Sequence, residues 1–172
     1  VVTGYGFQPF TGDVATAVRD TPGVAQVAVV KQAPARAPGS GDTLITGVDP
    51  QDIQKALSLT ATEGSLDDLT AGKVALDADT AGEIGAGLGT VVQVLSVVGP
   101  VDLEVVTIYE AAGGFTGYVV DLPTARDLGA SDQDNVVYVI KDPTASAQTV
   151  EADLNLALEP YPNVQVLGPA AF

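Results

Sequence analysis

Apolar and polar positions along residues 46–95 alternate in short blocks that predict helix, strand, helix and strand with little slack between them. Gly47-Val48-Asp49-Pro50 ends an apolar run and starts a helix-like segment, and Gly64 closes that segment's approach to the next strand. Residues 73–76 read as that strand. Either Asp77 or Asp79 can then cap a short helix over 80–84, because a carboxylate accepts from the free N–H groups of a first helical turn. Gly85, Gly87 and Gly89 turn the chain into the β-branched run 90–95.

The two ends of the chain share a grammar. Residues 1–10 carry Tyr5, Phe7 and Phe10 among glycines and predict a first strand running into a turn at Pro9. Thr11 or Asp13 can cap a helix that places Val14, Ala17 and Val18 on one face, and Thr21-Pro22-Gly23 stops it. A mostly apolar strand follows over 24–31. Residues 32–42 then read as a Pro/Gly/Ser loop that nothing apolar anchors, the most mobile segment expected. Near the other end, 135–141 predicts a strand, and Asp142-Pro143 predicts an N-cap with proline at the first helical position. Ala147, Val150, Leu154 and Leu158 form an apolar stripe ending at Pro160. Both helices leave through a Pro-containing turn into a valine strand. The pattern implies two β-α-β units that pair into a four-stranded sheet with both helices on one face.

The fold class expected is therefore α+β, with residues 1–42 and 129–172 forming one discontinuous subdomain and residues 43–128 inserted into it. After residue 95 the insertion continues with a turn at Gly99-Pro100, a strand over 103–109, a glycine loop over 111–114 and a strand over 115–121. A short helix over 123–128 and a polar return over 129–134 complete it.

Composition narrows the function classes. A chain of 172 residues can hold one domain or two small subdomains, and 46% hydrophobic residues argue against disorder. Seven Lys+Arg against 22 Asp+Glu give a net charge of −15, which repels nucleic acid and anionic lipid headgroups. No apolar run approaches the ~20 residues of a membrane helix, and no basic stretch precedes an apolar one at the start. The absence of methionine suggests a piece of a longer chain whose targeting and membrane segments lie elsewhere. With no cysteine there are no disulfides or thiolate sites, and the redox compartment stays open.

Candidate chemistry is sparse. Without His or Cys, a nucleophile would need Lys or a carboxylate as its base, and Lys31, Lys55, Lys73 and Lys141 have no Ser at a telling spacing. Asp77-Ala78-Asp79-Thr80 resembles an aspartic-protease Asp-Thr-Gly only in part: glycine does not follow, no second copy exists, and helix capping accounts for the acids. Gly82, Gly85, Gly87 and Gly89 follow a helix rather than preceding one, the wrong order for a dinucleotide loop and the right one for a C-cap. Asp132, Asp134 and Asn135 lack the Gly and distal Glu of a calcium loop and read as solvated. No metal or cofactor is expected. Phe115 and Tyr118 flank Thr116-Gly117 after a double glycine; strand alternation would bury one of them, while a hairpin tip over 113–118 would present them as partner contacts.

Several short motifs in order carry a resemblance. They are Pro22-Gly23-Val24-Ala25 with its valine strand, Thr46-Gly47-Val48-Asp49-Pro50, Glu63-Gly64-Ser65-Leu66, Gly72-Lys73-Val74-Ala75-Leu76, the run AGEIGAGLGTVVQV over 81–94, Asp142-Pro143, and Pro162-Asn163-Val164. Together they resemble the extracytoplasmic domain of MacB/FtsX-type ABC transporter permeases, the MacB-like periplasmic core domain, with Gly89-Thr90 where that family usually has Gly-Asp. The resemblance implies a porter-like subdomain made by both chain ends with a second subdomain inserted. It also implies a position outside the cell membrane between two membrane helices, a cytoplasmic ATPase, a second permease copy, and an external protein, peptide or lipoprotein substrate. It carries over no catalytic residue. Both ends should then lead to the membrane, so Val1 and Phe172 should lie close together. Two other classes stand beside this one: a cell-surface protein that binds peptide or cell-wall material in a cleft between the subdomains, and, less favoured, a carboxylate-dependent hydrolase.

Overall fold

A computed structural model describes residues 1–112 and 115–168. In chain order its elements are β1 (Val2–Gly4), α1 (Asp13–Arg19), β2 (Val24–Ala37), β3 (Gly41–Val48), α2 (Pro50–Leu57), β4 (Ala61–Gly64), β5 (Lys73–Asp77) and α3 (Ala78–Ile84). They continue with β6 (Val91–Ser96), β7 (Gly99–Tyr109), β8 (Tyr118–Asp121), α4 (Leu122–Asp127), β9 (Val136–Lys141), α5 (Ala147–Ala157) and β10 (Val164–Val166). The mixed α/β chain divides into two compact units, one of Val1–Val30 with the chain from Asp132 onward and one of Lys31–Ser131.

In the first unit the strands lie in the order β10-β1-β9-β2, every neighbour antiparallel. The register places Val2 beside Val166 on one edge and Val137 on the other, and Val137 beside Val29. Because strand side chains alternate between faces, Val2, Val27, Val137 and Val164 share one face. Val14 and Val18 of α1 and Val150, Leu154 and Leu158 of α5 cover that face and complete its core. The apolar stripe of α5 lies where its 3.6-residue period places it. Its start does not: Asp142 accepts from the Thr144 N–H (2.8 Å) and hydroxyl, forming a local turn, and the cap is Ser146. An Asp-Pro pair satisfies itself two residues on as readily as it opens a helix. The first strand is also shorter than expected. After Gly4 the chain takes a 3-10 turn over Tyr5–Phe7 with both aromatic rings exposed, and Phe10 returns to the core through a bridge to Asp134.

The second unit is built around β7, which pairs in parallel with β5 and antiparallel with β4 and β6. β8 lies between β5, antiparallel, and β3, parallel. Leu103 and Val105, Val74 and Leu76, Val92 and Val94, and Tyr118 and Val120 supply its core with Ile45, Ala125 and Leu128. Residues 32–42, expected as a loop, are instead the end of β2, a turn over 38–40 and the start of β3. Ala33 and Ala37 are buried while Pro34 and Arg36 face out, a strand alternation written in small residues and an exposed proline. The turn is anchored from beneath by the Tyr118 hydroxyl, which donates to Pro38 O at 2.7 Å.

Aspartates start three of this unit's helices. Asp49 accepts from the N–H groups of Gln51 and Asp52, Asp121 from Thr124, and Asp77 from Thr80. Of the two acids that could cap α3, the structure uses Asp77, the last residue of β5. Its buried carboxylate also accepts the Thr80 hydroxyl (2.8 Å) and the Gly117 N–H, so one side chain ties β5, α3 and the start of β8. Burial pushes this carboxyl up, but the bonds from Thr80, Gly117 and Asp79 outweigh it and hold it below the ordinary carboxylate range.

Two predictions follow from these contacts. A depressed folded-state carboxyl stabilises the fold fully above its unfolded value near ~3.9 and loses that contribution as pH falls through the folded value. Denaturation midpoints measured from about pH 5 down to pH 2 should therefore show an acid limb that is shallower in Asp77→Asn, which also costs ~1–3 kcal/mol at pH 7 by mismatching a buried acceptor. An unchanged acid limb would remove Asp77 from this role. The second concerns two glycines of opposite sign. Gly64 has φ +71° and a Cβ there would meet Val106 O at 2.1 Å, whereas Gly82 lies inside α3 with open space around it. Gly64→Ala should cost more than ~1 kcal/mol and Gly82→Ala should gain ~0.5–1 kcal/mol in chemical denaturation.

Candidate functional site

Phe115 and Tyr118, the expected exposed partner contacts, are buried, with 5% and 1% of their surface accessible. Gly113 and Gly114, part of the expected tip, lie outside the described residues. The chain on either side closes as a tight bridge, with the Phe115 N–H donating to Ala112 O at 2.9 Å. Gly117, at φ +76°, ends the irregular stretch, so β8 starts at Tyr118 and that ring points into the core. Burial, helped by Glu83, raises the Tyr118 phenol; burial and then Asp77 raise that of Tyr109, whose hydroxyl donates to Gly117 O. Both phenols are fixed donors in a packed interior. The expectation of an exposed aromatic pair is corrected: alternation alone would have buried one ring, and the bridge turns the other inward as well.

The remaining candidates resolve into structure. Gly85 is the left-handed C-cap of α3, and the Gly89 N–H donates to Val105 O, fixing the turn into β6. Asp134, expected in a solvated loop, is buried, its backbone exchanging 2.8 Å bonds with Phe10. No group of three or more His, Cys, Asp or Glu that could hold a metal occurs among the described residues. Lys73 pairs with Glu104 across the parallel β5–β7 register, and Lys141 donates to Ala145 O at 3.1 Å.

What sequence reasoning missed is the exposed apolar surface of the β6–β7 hairpin, whose two strands and turn it did expect. Val91 and Leu95 on the outward side of β6 and Val97 and Val98 at the turn are exposed, the last two by 68% and 65%. A groove of about 390 Å³ runs beside them, lined by Pro34, Arg36, Asp42, Thr43, Leu95 and Val97 and rimmed by the Arg36–Asp42 ion pair at 2.8 Å. The signal was present: residues 91–101 carry no charged side chain in a chain with 29. Val97 leans on Gly129, where a Cβ would meet it at 2.3 Å, so a glycine receives the tip of the hairpin.

Near the ends of the domain, the Val1 nitrogen donates to Leu167 O at 2.8 Å and the Leu167 N–H donates to Val1 O at 2.7 Å. Phe172, named in the expectation about the ends, lies outside the described residues. Among the described residues no helix is long and apolar enough to cross a membrane.

Comparison with known proteins places this geometry. The periplasmic region of MacB from Actinobacillus actinomycetemcomitans is similar over 99% of this chain and 88% of its own, at 13% identity and a TM-score of 0.73. The extracellular domain of the noncanonic ABC-type transporter YknZ from Gram-positive bacteria is similar over 93% and 90%, at 18% identity and a TM-score of 0.65. A domain of a permease protein described as putative in its source, from Porphyromonas gingivalis, matches over 87% and 73% with a TM-score of 0.54 and 13% identity. No curated protein sequence matches. These likenesses establish the fold, and the family follows from the sequence itself: the model of the MacB-like periplasmic core domain matches residues 1–157, and the chain belongs to that family.

Proposed function

We propose that this chain is the extracytoplasmic domain of a MacB/FtsX-type ABC transporter permease and that it performs no catalysis, coupling ATP-driven movement of membrane helices to an external substrate or partner. The observation that carries this reading is the mutual bonding of Val1 and Leu167, which brings the two ends of the domain to one place, as an insertion between two membrane helices requires. In this reading a cytoplasmic ATPase acts through those helices, a second permease copy completes the transporter, and the domain lies on the outer side of the cell membrane. The cargo or regulated partner is an extracellular protein, peptide or lipoprotein. Among the described residues, six of the nine exposed large hydrophobic side chains belong to the inserted unit, Leu44, Leu88, Val91, Leu95, Val97 and Val98, which supports that unit as the partner-contacting one. Phe115 and Tyr118 then shape that unit from within.

Two measurements test the reading. These 172 residues contain no cysteine, so Ser40→Cys, to be compared with the parent protein, adds one thiol to the domain, on an exposed turn. In intact cells making the full-length protein it should react with a membrane-impermeant maleimide; labelling only after permeabilisation would sink the topology. The partner surface is tested by pairing stability with function. Val97→Ser/Val98→Ser should stay within about 1 kcal/mol of the parent in chemical denaturation yet impair export or growth, whereas Phe115→Ser/Tyr118→Ser should lose at least ~3–5 kcal/mol. Normal function in the hairpin variant would move the contact elsewhere.

A further inference from the structure

The first unit carries a second groove, of about 360 Å³, between the exit of α1 and the outer side of α5. Its floor is made of small or flat side chains, Ala17, Pro22 and Ala157, and Leu156 stands beside it with 65% of its surface accessible. The Thr21 hydroxyl donates to Ala17 O at 2.9 Å, so the one hydroxyl in the lining is already satisfied and asks nothing of an occupant. The charged side chains that line it are two carboxylates, Asp20 and Asp153. The surroundings repeat that sign: residues 142–172 contain Asp142, Glu151, Asp153 and Glu159 and no Lys or Arg. The neighbouring bases are Arg19 at the end of α1 and Lys141, whose ammonium donates to the carbonyls of Asp142 and Ala145.

We propose that this groove docks a basic amphipathic helix of a partner protein. Alanines on two helices let a third backbone approach closely, and Leu156 offers the apolar side chain that such a helix would cover. Lys or Arg one turn either side of the occupant's apolar stripe would meet Asp20 and Asp153. An acidic helix or an anionic membrane surface would be repelled by the same groups.

The probe is a Leu/Lys amphipathic peptide of about 18 residues, long enough to hold a helix, titrated into the 172-residue chain at fixed physiological salt. Nonspecific attraction to a protein of charge −15 is separated from docking by charge-matched pairs. Asp20→Asn/Asp153→Asn should weaken binding about tenfold, while Glu63→Gln/Asp68→Asn, the same charge change on exposed positions of the other unit, should leave it within about twofold. Leu156→Ser, which changes no charge at an exposed position, should also weaken it about tenfold with an unchanged melting temperature. If both charge-matched pairs weaken binding alike, if Leu156→Ser binds as the parent does, or if the peptide fails to bind, the proposal is overturned. Should Leu156→Ser prove unstable, the charge-matched pairs alone decide.

Discussion

The structure depends on a sheet that neither end of the chain can make alone. β1 is three residues long and lies between β10 and β9, so it exists as a strand only when Val2 has Val166 on one edge and Val137 on the other. A strand that short has almost no stability of its own. Closing it brings together residues separated by 166 positions, as in the Val1–Leu167 pair, and loop closure of that length costs entropy before any contact repays it. The repayment comes from the valine face of the sheet and from α1 and α5, whose apolar stripes cover it. The first unit therefore joins two halves of the chain that the whole of Lys31–Ser131 separates in sequence.

The inserted unit leaves and rejoins the first one near a single bond, from the Asn135 N–H to Val30 O at 2.8 Å, both residues belonging to the first unit. Inside the inserted unit, helices begin on aspartates that close their own first turns, and Asp77 spends its remaining acceptor capacity on Gly117, forty residues on. A buried carboxylate is costly unless fully bonded, so this group enforces one arrangement of β5, α3 and β8 rather than merely favouring it. The parallel β5–β7 and β3–β8 pairs each need a crossover, which α3 with β6 and the long return through β7 supply.

Much of this was legible from the chain. The repeated helix exits imply the two β-α-β units because Pro-containing turns and valine strands are local signals that tertiary context rarely overrides. A capping acid for α3 is legible for the same reason, although the sequence offers Asp77 and Asp79 alike and gives no sign of the Asp121 cap. The misreadings fall where two local signals compete. Pro34 and Pro38 spoke for a loop and outweighed the quieter alternation of Ala33 and Ala37, yet proline is tolerated in a strand where its face is open. Asp142-Pro143 spoke for a helix start, but Thr144 two residues on satisfies the carboxylate first. Phe115 and Tyr118 were placed at a tip because four small residues precede them; the bridge between Ala112 and Phe115 turns the first ring inward, and only the fold brings Pro38 O within reach of the second.

Direction and register within the first unit set where the chain enters and leaves its sheet. β1 and β2 are both antiparallel to β9 and so parallel to each other. The register sets Val2 and Val29 on either side of Val137, so the chain enters and leaves the sheet at one level, heading in the same direction. Only β9 separates the two strands, and its Val136 and Val137 are registered with both of them. Close-packed interiors transmit strain rather than absorb it, because their side chains have no slack to take up. A four-stranded sheet backed by two helices on one face therefore holds its entry and exit strands, β1 and β2, in one fixed arrangement about Val137.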